Sequence, residues 1–252
     1  MQEIQNELKE YCQKKWFSRG YYGNFEDAMK EYEALESFKI DANVDSVGGI
    51  SPAGHKIMMI VSQYYMEKVF NAMKIDMNDG NVAGDKGTPY RIVKMWTGAD
   101  LEDNTELMSG RWSNKPRIAV FDNASLDRFP ITKQVDIVSL CSHHTAPFST
   151  MFREDSYAVV SYIPKDKVLG ISKLQRLVDW VARRGHLQES LTKSIYEEVS
   201  KAAGTEDVCV VLYSLVHTCE KIRGTQSNEG AFTSEYYGGA YNEYELRRSI
   251  KR

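Results

Sequence analysis

Residues 172–185, Ser-Lys-Leu-Gln-Arg-Leu-Val-Asp-Trp-Val-Ala-Arg-Arg-Gly, set Leu174, Leu177, Val178 and Val181 at i, i+3, i+4 and i+7. That spacing is one apolar stripe of a helix. Ser172 and Gln175 have the order of a capping box at its start, and Gly185 supplies a stop after Arg183 and Arg184. A second helix is predicted from Gln188 to Ala203, with Leu191, Ile195 and Val199 on one face and Gly204 at its end; Val208 to Cys219 then reads as an apolar strand. Upstream, Ile118–Phe121, Gln134–Leu140 and Ser156–Ile163 are rich in strand-forming residues, and the turn Pro164-Lys165-Asp166-Lys167 follows the last of them. The order is strands, two helices, then a strand, without alternating βαβ units. This predicts an α+β fold with an antiparallel sheet.

Further toward the N-terminus, residues 2 to 36 are charged, with Leu8, Tyr11 and Cys12 at helical spacing, and Asp41 to Gly54 breaks the pattern with Gly48, Gly49, Pro52 and Gly54. A domain boundary is expected there, dividing a helical extension and linker (1–50) from a second domain (51–252). A helix from His55 to about Ile75 carries Met58, Val61, Tyr65, Val69 and Met73 along one side. Thr88-Pro89 marks another helix start, after which Arg91 and Lys94 share a face.

Of 252 residues, 42% are hydrophobic, and 35 acidic side chains nearly balance 32 basic ones for a net charge of −3. The chain therefore carries no overall field for a polyanion, which argues against nucleic acid and for a small ligand. No apolar run reaches the ~18 residues of a membrane span, and Gln-Glu-Ile-Gln-Asn-Glu after Met1 lacks the pattern of a secretion signal, so a cytoplasmic location without a membrane partner is expected. Four scattered cysteines are too few for a disulfide scaffold.

Two of those cysteines stand in histidine-bearing clusters: Cys141 with His143 and His144, and Cys219 with His217. Two thiolates and one imidazole make a three-ligand set of the kind that catalytic zinc uses, with a coordination position left over for water. Alternation along a strand would turn His217 and Cys219 to one face. By the same rule an extended 141–144 segment would pair Cys141 with His143, so spacing leaves the choice between His143 and His144 open. Any one of these residues alone is more commonly a core cysteine or a histidine satisfied by hydrogen bonds.

The run Cys141-Ser142-His143-His144-Thr145-Ala146-Pro147-Phe148 resembles the Cys-Glu-His-His-x-x-Pro-Phe signature of GTP cyclohydrolase I. The resemblance continues through Tyr162-Ile163-Pro164, Gly170-Ile171-Ser172-Lys173, Gln188-Glu189-Ser190-Leu191-Thr192 and His217-Thr218-Cys219-Glu220-Lys221-Ile222-Arg223-Gly224, with Thr88-Pro89-Tyr90-Arg91 upstream. It implies the tunnelling fold, with two helices packed on one face of the sheet, and a homodecamer with sites between subunits. It implies zinc held by Cys141, His144 and Cys219, with His143 and His217 as proton carriers. GTP would be attacked at C8 by zinc-activated water, lose formate and close to dihydroneopterin triphosphate. Glu189, with Gln188 beside it, would read the guanine edge. Ser172, Lys173, Arg176, Arg223, Arg91 and Lys94 would hold the ribose and triphosphate. Ser142 stands where the family has Glu, and residues 149–155 make a longer loop than its usual hairpin. These departures keep two alternatives in view, an enzyme of the same fold acting on another purine or pterin and a silent nucleotide-binding homologue.

Overall fold

The computed structural model describes residues 2–102, 105–124, 128–224, 226–227 and 230–250. The chain forms two compact units, Met1–Asn114 and Lys115–Arg252. In the first lie α1 (Gln2–Ser18), α2 (Phe25–Ala34), α3 (Pro52–Ala72), α4 (Thr88–Thr97) and α5 (Ser109–Trp112). Ser51 caps α3 by accepting from the Gly54 amide at 3.1 Å, and Pro52 occupies the first turn, where its missing N–H costs nothing. Cys12, Trp16, Phe25 and Met29 form one core with Ile57 and Ile60 of α3. The helix expected to open a second domain packs on the N-terminal helices within the first compact unit. The α3 stripe is buried only in part: Met58 and Val61 are covered, whereas Tyr65, Val69 and Met73 are exposed.

A polar network ties α1 to the loop before α4. The Arg19 side chain is 4% exposed and meets Asp85 Oδ2 at 2.9 Å, the Asp85 carbonyl at 2.9 Å and Gln63 Oε1 at 2.6 Å. Burial raises the Asp85 carboxyl, but hydrogen bonds from Arg19 and Lys15 outweigh it and hold the group at about 2, below its ordinary 3.8. A depressed carboxyl stabilises the fold above its unfolded pKa and loses that contribution as pH falls through the folded one. Asp85→Asn is expected to cost about 2 kcal/mol near neutrality, less than the ~3–5 of a fully buried pair because Asp85 is partly exposed. In urea titrations, the difference from wild type should shrink between about pH 4 and pH 2.

The second unit contains β1 (Val120–Asp122), β2 (Ile131–Val135), β3 (Val138–Cys141), β4 (Ala146–Ser149), β5 (Tyr157–Tyr162), β6 (Lys167–Leu169), α6 (Ile171–Ala182), β7 (Gly185–His186), α7 (Gln188–Ala203), β8 (Val208–His217), α8 (Thr218–Ile222), β9 (Phe232–Tyr237) and α9 (Tyr244–Ser249). β1 and β6 form a small ribbon, while the main sheet runs β2-β5-β8-β4-β3-β7 with β9 also on β8. Its pairings are antiparallel except β3 with β7. The stripes of α6 and α7, including Leu177, Val181, Leu191 and Ile195, share one core with Val160, Val210 and Leu215 of the sheet. Each such side chain withdrawn from water contributes about 1.5–3 kcal/mol. The α+β class, the antiparallel sheet and the two packed helices are as the sequence predicts.

Local details differ from the expectation for stated reasons. The capping box at Ser172 does not form: α6 starts at Ile171 after Gly170, without a side-chain cap. Gln175 is used elsewhere, accepting from the Asp136 amide at 3.0 Å and donating to its carbonyl at 2.9 Å. That amide takes the place of a strand partner, so the expected strand 134–140 divides into β2, which pairs with β5, and β3, which pairs with β4. β9 lies in a tail that reads as polar and Gly-rich; its residues are largely exposed, and its pairing with β8 defines it. Among the described residues, no helix is long and apolar enough to cross a membrane.

Candidate metal centre and substrate pocket

Two devices in β8 and its neighbours aim the site. Ser214 adopts φ 58, its amide bonds to Thr233 Oγ1 at 3.0 Å, and the β8–β9 register shifts between Leu212 and Leu215. This bulge flips the side-chain alternation. Val208, Val210 and Leu212 face the helices before it and Leu215 does so after it, whereas Cys209 and Val211 face the opposite core. His217 follows Leu215 on the helix side. It pairs with Phe148 of β4, and the two rings stack at 4.4 Å and 8°. The ladder ends there because the next residue of β4 is Pro147, which has no N–H to donate. Thr218 Oγ1 instead donates to the Pro147 carbonyl at 2.7 Å, and the chain turns into α8. Cys219 therefore stands in a short helix and not, as its apolar context suggested, in a strand.

From the other side, β3 ends at Cys141 and β4 begins at its pairing partner Ala146. The connecting turn places Thr145 at φ 50. A β-branched residue in the left-handed region costs on the order of 1–3 kcal/mol, and such strain concentrates at functional sites. His143 and His144 are exposed on this turn, their rings 6.2 Å apart.

The ligand atoms of Cys141, His217 and Cys219 lie within 4.8 Å of one another. They line a cavity of about 290 Å³ together with His143, His144, Leu187, Gln188, Glu189, Glu220 and Phe232. Burial, then the neighbouring Cys141 thiol, pushes the Cys219 thiol up. Burial lowers the His217 pKa, opposed by the carboxylates of Glu189 and Glu220. Two thiols and one imidazole in one pocket match the soft and borderline donors that zinc prefers, and a thiol made hard to ionise by burial ionises once a cation is bound.

Seven of the residues singled out from the sequence meet in this cavity: Cys141, His143, His144, Gln188, Glu189, His217 and Cys219. His217, and not His144, completes the close triplet with the two cysteines. Ser172, Lys173, Arg176, Arg223, Arg91 and Lys94 are not among the residues that line the cavity. Ser172, Lys173 and Arg176 occupy the start of α6, whose opposite end carries the Ala182 carbonyl bonded to Ser139 Oγ of β3 at 2.6 Å. At about 1.5 Å per residue, Lys173 is about 13 Å along the helix from that end. Arg223 follows α8 and acts on Cys219 electrostatically. Arg91 and Lys94 lie on α4 in the first unit, Lys94 3.7 Å from Glu106. Phe148 and Phe232, which flank His217, were not foreseen; an aromatic residue in a strand carries no signal that separates core from site.

The family model described as GTP cyclohydrolase I matches residues 64–251. The GTP cyclohydrolase 1 of Pectobacterium carotovorum is 33% identical over 186 residues, covering 73% of this chain and 77% of that protein. That of Flavobacterium johnsoniae is 30% identical over 187 residues, covering 73% and 76%, and that of Yersinia enterocolitica is 33% identical over 188 residues, covering 74% and 78%.

Proposed function

The chain belongs to the GTP cyclohydrolase I family, and from that premise we propose that it hydrolyses GTP at C8 of guanine, releases formate and yields 7,8-dihydroneopterin triphosphate. The observation that carries this reading is the convergence of two cysteines, three histidines and Glu189 on one cavity. Cys141, His144 and Cys219 would hold zinc, which when bound lowers the pKa of water from ~15.7 toward ~7 and so makes hydroxide available at neutral pH. His143, exposed at the pocket, delivers a proton to N7 as C8 is attacked. His217 carries protons in the ribose steps. The Glu189 carboxylate accepts from N1–H and the exocyclic amine of guanine, a pair of donors that adenine does not present on that edge.

A second arrangement of the ligands is favoured by one observation. His217 lies within 4.8 Å of both cysteine sulfurs, so it could be the third ligand in place of His144.

The cations at the start of α6 support an assembled enzyme. Set about 9–13 Å along the helix from the end beside β3, Arg176 and Lys173 with Ser172 would bind the triphosphate of a nucleotide whose base lies in a neighbouring copy's pocket. Arg223, Arg91 and Lys94 would add to that charge. The state proposed is the homodecamer, in the cytoplasm, with residues 1–50 as an extension to the catalytic part. The product would feed tetrahydrofolate, biopterin or 7-deazapurine synthesis.

The test is incubation of the zinc-loaded protein with GTP, following formate and the pterin chromophore, with ATP as control. Formate and dihydroneopterin triphosphate from GTP alone are expected. Formate without pterin would point instead to an altered reaction of the same fold, and no turnover by a folded, zinc-bound oligomer would overturn the enzyme assignment.

A further inference from the structure

Gln188, the first residue of α7, is 1% exposed, and its side-chain amide is spent on protein groups. Nε2 lies 2.9 Å from the Phe232 carbonyl, 3.1 Å from Ser234 Oγ and 3.5 Å from the Leu212 carbonyl, while Oε1 lies 2.9 Å from His217 Nε2. Carbonyl oxygens only accept, so the nitrogen end of the amide must face β8 and β9 and the oxygen end must face the imidazole. An amide oxygen also only accepts. His217 Nε2 therefore carries the hydrogen, and the neutral ring keeps its lone pair on Nδ1. The ring plane is held as well, stacked on Phe148 at 4.4 Å and met edge-on by Phe232 at 6.4 Å and 86°. Behind the amide, Thr192 Oγ1 donates to the Gln188 carbonyl at 2.8 Å and meets Ser234 Oγ at 2.6 Å, which braces the start of α7 against β9.

We propose that Gln188 does not read the guanine base but is a positioning residue, whose amide oxygen accepts from His217 Nε2–H and so fixes the tautomer and the plane of that ring. Both amide donors face acceptors inside the protein, whereas the adjacent Glu189 is exposed at the cavity and free to meet a ligand. The inference rests on the reaction proposed above. It deepens it by dividing two neighbouring residues into one that touches substrate and one that acts through a histidine.

The test uses the full-length, zinc-loaded protein labelled with ¹⁵N-histidine, with His217→Gln to assign the ring signals, alongside kinetics of Gln188→Met and Gln188→Glu. Wild type is expected to show a protonated Nε2 and a bare Nδ1 on His217. Gln188→Met removes the acceptor, so the tautomers should mix and kcat for GTP should fall about 10–100-fold, with KM within about threefold. Gln188→Glu keeps an acceptor oxygen toward His217 but sets its other oxygen against the Phe232 carbonyl, so it should keep the Nε2–H form with only part of kcat. A rise in KM at unchanged kcat, with the His217 signals unmoved, would overturn the proposal and return Gln188 to base recognition. If Gln188→Met fails to fold, the wild-type spectrum decides, because a His217 with a bare Nε2 and a protonated Nδ1 would overturn the proposal by itself. The spectra are recorded without nucleotide, so a wild type that does not turn over GTP would sink the reaction while leaving the tautomer to be read.

Discussion

Cys219→Ser is expected to lower GTP turnover by at least about 10³-fold and to leave the purified protein with well under one zinc per chain. The reason lies in the donor count: the site offers two thiols and one imidazole at a time, the minimum for a catalytic zinc that keeps a position for water. A serine hydroxyl does not ionise near neutral pH and is a poor zinc ligand, so removing one thiolate leaves a two-ligand site. Structure and fold should survive, since Cys219 is only partly buried and sits in a five-residue helix that follows the end of β8. Metal content by elemental analysis, read beside formate release, checks both halves. The same measurement separates the two histidines. His144→Ala is expected to lose zinc, while His217→Ala keeps it and loses turnover; the reverse pattern would make His217 the third ligand, as its distance to the cysteines favours.

Glu189→Ala is expected to reduce kcat/KM for GTP by about 10³-fold or more. Glu189 lies in the first turn of α7 at the mouth of the cavity, where one carboxylate can accept from N1–H and the exocyclic amine together. A site built on such a pair rejects a ligand that lacks a donor by far more than an apolar pocket can, because the protein group is left unpaired. The informative comparison is GTP with inosine triphosphate, which lacks the amine. Wild type should discriminate strongly between them and Glu189→Ala only weakly; equal losses on both substrates with discrimination intact would remove Glu189 from base recognition.

The helical half of the fold was the most legible. α7 runs from Gln188 to Ala203 as the periodicity of Leu191, Ile195 and Val199 indicates, with Gly204 in the left-handed conformation at its end. Amphipathic helices declare themselves because a single face has to satisfy the core. The strands were less legible where their pairing is remote: β9 carries no apolar run and exists as a rung on β8, and the break between β2 and β3 is made by Gln175, thirty-nine positions from Asp136. Tyr65, Val69 and Met73, on the stripe past Val61, promised burial that the chain itself does not provide.

Which residue types gather in the cavity was legible in the sequence: two cysteines, three histidines and an acid in short motifs have few roles that suit all of them at once. Where those groups meet was decided by tertiary structure. The bulge at Ser214 flips the alternation of β8 so that His217 joins the helix side, and Pro147, with no N–H for another rung, turns the chain so that Cys219 swings toward Cys141 from a helix and not a strand. The tautomer of His217 depends on an amide whose other end is fixed by carbonyls of β8 and β9. None of these can be read from spacing, because a hydrogen bond between strands distant in sequence leaves no periodic trace in either.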